Sequence, residues 1–305
     1  MNDVLFPKGR WRRRGREAMK RVVLRTANSL ALGGLCAWAV NEQLLRIERK
    51  AMPIVGLGEE LDGLRILHLS DLHVSPLVSE RYLRRSIRLV NHLRPDVVVI
   101  TGDFISGFQH YARRAGAALS HLHPRIAALA CLGNHDYGIW HPSGPSRERG
   151  QGRYMAQQLE NAGVHVLLNE SWTLRRGGGI LQFVGLEDYW TGRYSPKAAF
   201  ESVDVSQPII ALCHNPDAAP ELAEYGAQWI LSGHTHGCTG LGRKLHEWVL
   251  PVTNKRFIAG HYPVNETSHV YINCGLGHAM RRKLNSRPEI TIFELKAMPA
   301  AVAKA

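Results

Sequence analysis

The sequence predicts a layered α/β sandwich, and two observations lead to that prediction. From about Leu61, short apolar runs rich in β-branched residues alternate with segments of helical spacing, and the later part is mainly strands. Five short polar motifs each follow such an apolar run, and α/β sheets gather ligand-binding groups where strands end. A βαβ-like first part with a strand-rich second part favours a layered sandwich over one doubly wound sheet.

The N-terminal segment carries most of the net charge. Residues 1–25 hold nine Lys or Arg against two acidic residues, so they supply +7 of the +12 total and the other 280 residues supply +5. Residues 26–41 contain no charge, and as a helix they would span about 24 Å, short of a hydrocarbon core of about 30 Å. A signal anchor, a cleaved signal peptide, an interfacial helix continuing to residue 50 and a core helix all remain open.

The domain organisation follows from these shifts in composition. We expect residues 1–50 to form a basic N-terminal segment with a membrane-associating helix. Pro53 and three nearby glycines predict a linker over 51–63. We expect the main domain at 64–296 and a flexible tail at 297–305.

The elements of the main domain are predicted in chain order from their apolar patterns. Strands are expected at Arg65–Leu69, Asp96–Thr101, Ile126–Leu132, Val164–Leu168, Ile180–Val184, Ile209–Cys213, Trp229–Ser232, Val270–Cys274 and Ile290–Phe293. Helices are expected at Ser79–Leu93, with Ser79 as N-cap, and at Tyr111–His121, Arg153–Ala162 and Pro216–Tyr225.

The five motifs contain residue types that bind divalent metal ions. They are Asp71-Leu72-His73, Gly102-Asp103, Gly133-Asn134-His135-Asp136, His214-Asn215 and Gly233-His234-Thr235-His236. On an extended segment, residues two apart face the same side, which would let both members of the first and last motifs reach one metal. A carboxylate such as Asp103 can bridge two cations. So many charged and imidazole groups at buried strand ends would be costly without metal, which predicts a binuclear centre.

The ordered set D-x-H, G-D, G-N-H-D, H and G-H-x-H resembles the calcineurin-like metallophosphoesterase superfamily over roughly residues 64–296. The resemblance implies a four-layer α/β/β/α sandwich with two divalent metal ions at one edge. It assigns one metal to Asp71, His73, Asp103 and His236, and the other to Asp103, Asn134, His214 and His234. It places His135 opposite the scissile phosphate as a catalytic residue, with Asp136 orienting it.

The implied reaction is hydrolysis of a phosphodiester or pyrophosphate bond by a metal-activated water. Mixed nitrogen and oxygen ligands suit Mn²⁺, Fe or Zn²⁺ better than Mg²⁺ or Ca²⁺. The pieces LHLSDLHVS, GNHDYG and CGLG resemble the bacterial membrane-linked subgroup, which includes UDP-2,3-diacylglucosamine pyrophosphatase-like enzymes. Cys238-Thr239 stands where relatives commonly show Gly-Gln, so the substrate does not carry over directly.

The expected partners are a phosphate-containing small molecule or lipid, and a membrane surface that the N-terminus contacts. The expected location is the bacterial inner membrane, and the sequence does not decide on which side of it the main domain lies. Arg281, Arg282 and Lys283 either clamp a second phosphate or form a solvated basic loop. The loops at 138–152, with Trp140, and at 240–262, with Phe257, could overhang the site and accept an acyl chain or a base.

Alternative functions remain open at this stage. One is a nuclease or broad-specificity phosphodiesterase, although concentration of charge in residues 1–25 argues against nucleic acid as partner. Another is a phosphoprotein phosphatase, and a non-enzymatic alternative is a metal-free scaffold of the same fold. The five cysteines form no C-x-x-C pair, and Cys131, Cys213 and Cys274 are expected to be buried as small apolar residues.

Overall fold

The computed structural model describes residues 20, 29, 45–142, 144, 150–237, 252–277 and 287–299. The chain divides into a unit of Met1–Glu42 and a unit of Gln43–Ala305, and every element below belongs to the second unit. Among the described residues, no helix combines the length and apolar character that crossing a membrane requires. The predicted membrane-associating helix at 26–41 lies outside them except at residue 29.

Twelve strands and five α-helices have described bounds. The strands are β1 Arg46–Val55, β2 Arg65–Leu69, β3 Val97–Thr101, β4 Ala127–Cys131, β5 His165–Val166, β6 Glu170–Arg176, β7 Gly179–Gly185, β8 Ile209–Leu212, β9 Trp229–Ser232, β10 Gly260–Pro263, β11 His269–Ile272 and β12 Glu289–Met298. The helices are α1 Glu80–His92, α2 Ala112–Leu119, α3 Gln151–Glu160, α4 Pro196–Ala199 and α5 Ala219–Glu224. As predicted, Ser79 caps α1, because its side chain accepts a hydrogen bond from the Tyr82 N–H at 3.2 Å.

The strands form two six-stranded mixed sheets. The first has the order β1-β12-β2-β3-β4-β5 and the second the order β10-β11-β9-β8-β7-β6. Within the first sheet β2, β3 and β4 are parallel neighbours, and within the second β7, β8 and β9 are parallel neighbours. The carboxyl ends of these strands therefore meet at one side of each sheet, which we call the carboxyl edge.

The side chains of each strand alternate between the two faces of its sheet, and apolar packing on both faces produces four layers. In β3, Val97 and Val99 belong to the apolar cluster between the two sheets, while Val98 and Ile100 pack with α1, α2 and α3 on the outer face. The second sheet behaves in the same way and carries a third cluster on its own outer face with α4 and α5. Because strand side chains alternate between faces, fully apolar strands fill cores on both sides. The α/β/β/α sandwich is confirmed.

The start of the first sheet differs from the prediction. Arg46–Val55 was divided between a helical segment and a linker, but these residues form β1, which pairs in parallel with β12 along ten residue pairs. Met52 and Ile54 are fully buried between the sheets. Pro53 is compatible with this because β1 is an edge strand, where a missing N–H costs little. The linker over 51–63 is therefore wrong for residues 51–55, and the flexible tail over 297–305 is wrong for Ala297 and Met298, which end β12. The rest of the domain division stays a prediction.

Candidate metal centre

The backbone at the carboxyl edge is left-handed at five of the predicted ligands. Seven described residues other than glycine have positive φ, and five of them are Asp71, His73, Asp103, His234 and His236. Their φ angles lie between 46° and 73°. The expectation that Asp71 and His73 lie on an extended segment is therefore wrong, as it is for His234 and His236. Left-handed backbone is uncommon outside glycine and clusters at functional sites, because the surrounding structure must compensate its cost.

Four of these side chains converge on one point. Donor atoms of Asp71, His73, Asp103 and His236 all lie within 4.8 Å of one another. The His73 Nε2 atom is 3.1 Å from His236 Nε2, 3.6 Å from Asp71 Oδ1 and 3.5 Å from Asp103 Oδ2. Two imidazole nitrogens and two carboxylate oxygens facing one small volume are suited to a shared cation. This is the first ligand set that the resemblance implied.

Asp103 connects this cluster to the second group. Its Oδ2 atom, 3.5 Å from His73 Nε2, is also 3.2 Å from His214 Nε2. Its Oδ1 atom accepts a hydrogen bond from the His135 N–H at 2.9 Å. The His234 ring lies next to His214, with ring centroids 5.0 Å apart. A single oxygen of Asp103 therefore faces both groups, which suits a carboxylate that would bridge two cations.

The hydrogen bonds around the site fit a metal centre. Asp71 Oδ2 accepts from Ser70 Oγ and from the His234 N–H, His214 Nδ1 bonds the Thr101 carbonyl, and Asn134 Nδ2 donates to the Ile139 carbonyl. The opposite atoms of three of these side chains are buried and have no hydrogen-bond partner among the described residues: Asp71 Oδ1, His214 Nε2 and Asn134 Oδ1. Unpaired buried polar atoms are costly. A side chain with one atom fixed by a hydrogen bond and another left unpaired is the arrangement expected of a metal ligand.

The electrostatics show how strongly this site favours positive charge. Burial alone would raise the pKa of Asp103, but His214, His135 and His73 outweigh it and hold the pKa well below its usual range. Burial would likewise lower the pKa of His214, but Asp103 and Asp71 outweigh it and raise that pKa well above its usual range. Buried carboxylates of this kind need compensating cations.

Glycines allow the motifs to approach each other. A Cβ atom on Gly233 would lie 1.8 Å from Ser70 Oγ and 2.3 Å from Asp71 Oδ2. A Cβ on Gly133 would lie 2.3 Å from Asp103 Oδ1. Neither space can hold a side chain, so these glycines are required for the close packing of one motif against the next.

His135 and Asp136 have different surroundings. The His135 ring lies at the site, with Nε2 3.9 Å from Asp103 Oδ2, and burial lowers its pKa to about 4. The Asp136 carboxylate instead accepts backbone N–H groups, from Ile105 to Oδ1 and from Gly133 to Oδ2. The expectation that Asp136 orients the His135 ring is therefore replaced: Asp136 holds the backbone of two loops that carry ligands.

Two supporting groups were missed at the sequence level. Ser70 Oγ lies within hydrogen-bond distance of both Asp71 Oδ2 and the Thr101 carbonyl oxygen, at 2.6 Å from each. Because a hydroxyl has one proton, Ser70 donates to one of these acceptors at a time. Asp188 is fully buried, burial raises its pKa to about 6, and its Oδ1 accepts the Trp190 N–H. The Trp190 ring packs edge-on against His234, with centroids 4.7 Å apart. Asp188 follows the apolar run of β7, which is the same signal that identified the five motifs.

Other predicted residues have varied outcomes. Arg281, Arg282, Lys283 and Cys238-Thr239 lie outside the described residues, so their roles stay predictions. Phe257 is buried in the cluster beneath the second sheet and does not overhang the site. Trp140 is 39% exposed and contacts the His135 ring. Cys131, Cys213 and Cys274 are buried, as expected.

Residues 64–238 match the family described as calcineurin-like phosphoesterase. The chain belongs to this family. It is accordingly a hydrolase of phosphoester bonds. The family uses a binuclear divalent metal centre, and Asp71, His73, Asp103 and His236 form a plausible cluster of metal ligands.

Curated relatives cover most of the chain. The phosphodiesterase YaeI of Escherichia coli is 31% identical over 232 residues, spanning 76% of this chain and 82% of that protein. The UDP-2,3-diacylglucosamine pyrophosphatase LpxG of Chlamydia trachomatis is 28% identical, spanning 84% of this chain and 91% of that protein. Among solved structures, the phosphopantetheinyl hydrolase of Mycobacterium tuberculosis is 15% identical with a TM-score of 0.44, covering 74% of this chain and 95% of that one.

Proposed function

We propose that this protein is a binuclear metal-dependent phosphoesterase that hydrolyses phosphodiester or pyrophosphate bonds. The observation that carries the proposal is Asp103 Oδ2, which faces both His73 and His214 while the other Asp103 oxygen is held by the His135 N–H. Asp71, His73, Asp103 and His236 would hold one ion, and Asp103, Asn134, His214 and His234 the other. When bound, the ions neutralise phosphate charge and lower the pKa of the attacking water.

Hydrogen bonds within the protein orient the side chains that would act at this site. His214 is fixed through Nδ1 to the Thr101 carbonyl at 2.7 Å, which directs Nε2 into the site. Asn134 is fixed through Nδ2 in the same way, which directs its oxygen. His135, with a pKa lowered to about 4 by burial, is neutral near pH 7. A neutral imidazole offers an N–H to the developing negative charge on the leaving oxygen.

We propose a lipid- or nucleotide-linked phosphate, such as UDP-2,3-diacylglucosamine, as the substrate. The similarity to the chlamydial pyrophosphatase supports this. The +7 charge of residues 1–25 supports association with an anionic membrane surface such as the bacterial inner membrane. A broad-specificity phosphodiesterase is the second candidate, favoured by the similarity to the Escherichia coli phosphodiesterase.

The metal assignment is tested by Asp103→Ala and Asn134→Ala. We expect each to reduce bound metal and to lower hydrolysis of bis-(p-nitrophenyl) phosphate by at least about 100-fold, since outer partners of metal ligands alone cost 10- to 100-fold. Metal content is measured by mass spectrometry. Asp204→Asn, at an exposed carboxylate before β8, is the control that should change neither quantity. Full activity in either alanine variant would exclude the binuclear assignment.

The substrate is tested by incubating metal-loaded protein with UDP-2,3-diacylglucosamine and with bis-(p-nitrophenyl) phosphate. We expect release of UMP together with the acylated sugar phosphate, at a higher kcat/KM than for the generic diester. Comparable rates on both compounds, or hydrolysis of the generic diester alone, would favour the broad-specificity phosphodiesterase.

A further inference from the structure

A row of aromatic rings leads away from His135. The Trp140 ring meets the His135 ring edge-on, with centroids 4.3 Å apart and planes at 89°. Phe108 follows at 6.4 Å from Trp140, and His110 at 6.0 Å from Phe108. These residues lie in the loops after β3 and β4, so the row belongs to the carboxyl edge beside the candidate metal centre.

The position of Trp140 is built into the loops. Gly107 has φ of +76°, and a Cβ there would lie 2.6 Å from Trp140 Cζ2 and 2.8 Å from its Nε1. The indole therefore rests against a backbone position that only glycine leaves open. Gly107 belongs to the loop after β3, and Trp140 belongs to the loop after β4.

The two central rings nevertheless remain accessible. Trp140 is 39% and Phe108 40% exposed, although each ring packs on a neighbour. Large exposed apolar groups at the rim of a functional site mark binding surfaces. The surface they form begins at His135, so it would contact the part of a substrate that extends from the phosphate.

We propose that Trp140 and Phe108 form a subsite for an acyl or alkyl chain attached to the substrate phosphate. This rests on the proposed phosphoesterase function and specifies its substrate class. The rings are tilted against each other, at 63° for Phe108 and Trp140, so they do not offer a parallel platform for stacked bases. Arg114, on the helix that follows His110, donates from its guanidinium to the carbonyls of Ser75 and Val78. Apolar contact is therefore the chemistry that this surface offers.

The test is a homologous series of p-nitrophenyl alkyl phosphates, from methyl to octyl, used below micelle-forming concentrations. With full-length metal-loaded protein, kcat/KM should rise roughly 10-fold or more with chain length, since each buried methylene is favourable. Trp140→Ala and Phe108→Ala should each flatten this dependence.

Tyr189→Ala is the matched control, because Tyr189 is also an exposed aromatic, at 41%, but packs on Tyr194. It should keep the chain-length dependence. Thymidine 5′-p-nitrophenyl phosphate tests the base alternative. No chain-length dependence in wild type, an unchanged dependence in both alanine variants, or a selective loss of the thymidine ester would overturn the proposal.

Binding of methylphosphonate and octylphosphonate, measured by calorimetry, separates this proposal from the proposed function. If no ester is hydrolysed but octylphosphonate binds at least about 10-fold more tightly than methylphosphonate, and Trp140→Ala removes the difference, the subsite stands and the enzymatic proposal fails. Equal affinity for the two phosphonates in wild type would overturn the subsite.

Discussion

At the scale of single residues, the proposed roles separate the groups that would hold metal from His135, which would act on the substrate. His135 contributes its backbone N–H to Asp103 Oδ1 at 2.9 Å, while its ring lies against Trp140. The backbone contact does not depend on the side chain. A change at this residue can therefore alter catalysis without removing a ligand.

We predict that His135→Asn keeps both metal ions and lowers kcat by about 10²- to 10⁴-fold, the range for a group that transfers or shares a proton in the transition state. The ions are counted by mass spectrometry, and kcat is measured on bis-(p-nitrophenyl) phosphate. His165→Asn, at an exposed histidine at the start of β5, is the control. Loss of one ion from His135→Asn would make this residue a ligand instead.

A second residue-scale prediction concerns His68, which is fully buried and bonds Thr101 Oγ1 at 2.8 Å. Burial lowers its pKa to about 3. Between about pH 6.5 and pH 3, the His68 side chain binds a proton in the unfolded chain but not in the folded chain. The free energy of unfolding therefore falls as pH decreases below about 6.5. His68 alone would account for a loss of at most about 3 kcal/mol between pH 6.5 and pH 4.

This is checked by urea unfolding of wild type and His68→Gln across that pH range. Glutamine cannot titrate, so the free energy of unfolding of the variant should fall less steeply with acid. Parallel curves for the two proteins would show that His68 does not contribute to the pH dependence.

At the scale of elements, the backbone conformation of the turns after the strands positions the predicted ligands more directly than the strands do. The apolar runs predicted nearly every central strand, and β2 and β9 have the predicted bounds. The motif order also identified residues that the fold brings together. The left-handed backbone at Asp71 and His73 was not predicted, because tertiary contacts impose it on residues that would otherwise avoid it.

The elements that sequence patterns missed depend on distant partners. β1 is charged and contains Pro53, and its one partner among the described strands is β12, more than 240 residues away in the chain. Local periodicity carries no information about such a pairing. The role of Asp136 was missed for the same reason, since its carboxylate serves backbone groups of Gly133 and Ile105 that meet only in the folded chain.

The element-scale prediction tests the contact between the last motif and the first. Gly233→Ala should displace Asp71, because the added Cβ would lie 2.3 Å from Asp71 Oδ2. We expect weaker metal binding and at least about a 10-fold loss of activity, as for other groups that orient ligands. Metal titration followed by activity measures both. Gly178→Ala, whose Cβ would meet only Glu60 Oε1 at 3.4 Å, should leave both unchanged; an unaffected Gly233→Ala would show that this contact can relax.

At the scale of the whole molecule, β1 begins at the carboxyl edge of the first sheet. Arg46 pairs with Glu289 in the β1–β12 ladder, and Glu289 donates its N–H to the Gly275 carbonyl, beside Asp71. The Arg46 guanidinium also forms an ion pair with the buried Glu289 carboxylate. The start of β1 therefore lies at the carboxyl edge, as do Asp71 and the other predicted ligands.

The whole-molecule prediction compares two deletions. Removing residues 1–42 leaves β1 intact, so turnover of bis-(p-nitrophenyl) phosphate should stay within about 2-fold of the full chain, as expected for independent units. Flotation with anionic vesicles should decrease, because each lost Lys or Arg contributes about 1 kcal/mol near such a surface. Equal flotation would show that residues 1–42 are not the membrane contact.

Removing residues 1–55 should instead destabilise the domain. β12 would lose its parallel partner, the buried Glu289 carboxylate would lose Arg46, and the buried side chains of Met52 and Ile54 would leave the core. Burying each apolar side chain contributes about 1.5–3 kcal/mol, so the deletion should lower the thermal midpoint well below that of the 1–42 deletion. Calorimetry of the two deletions decides the point. Equal midpoints would mean that β1 adds nothing to the stability of the sandwich, and that the domain begins at β2 as the composition alone suggested.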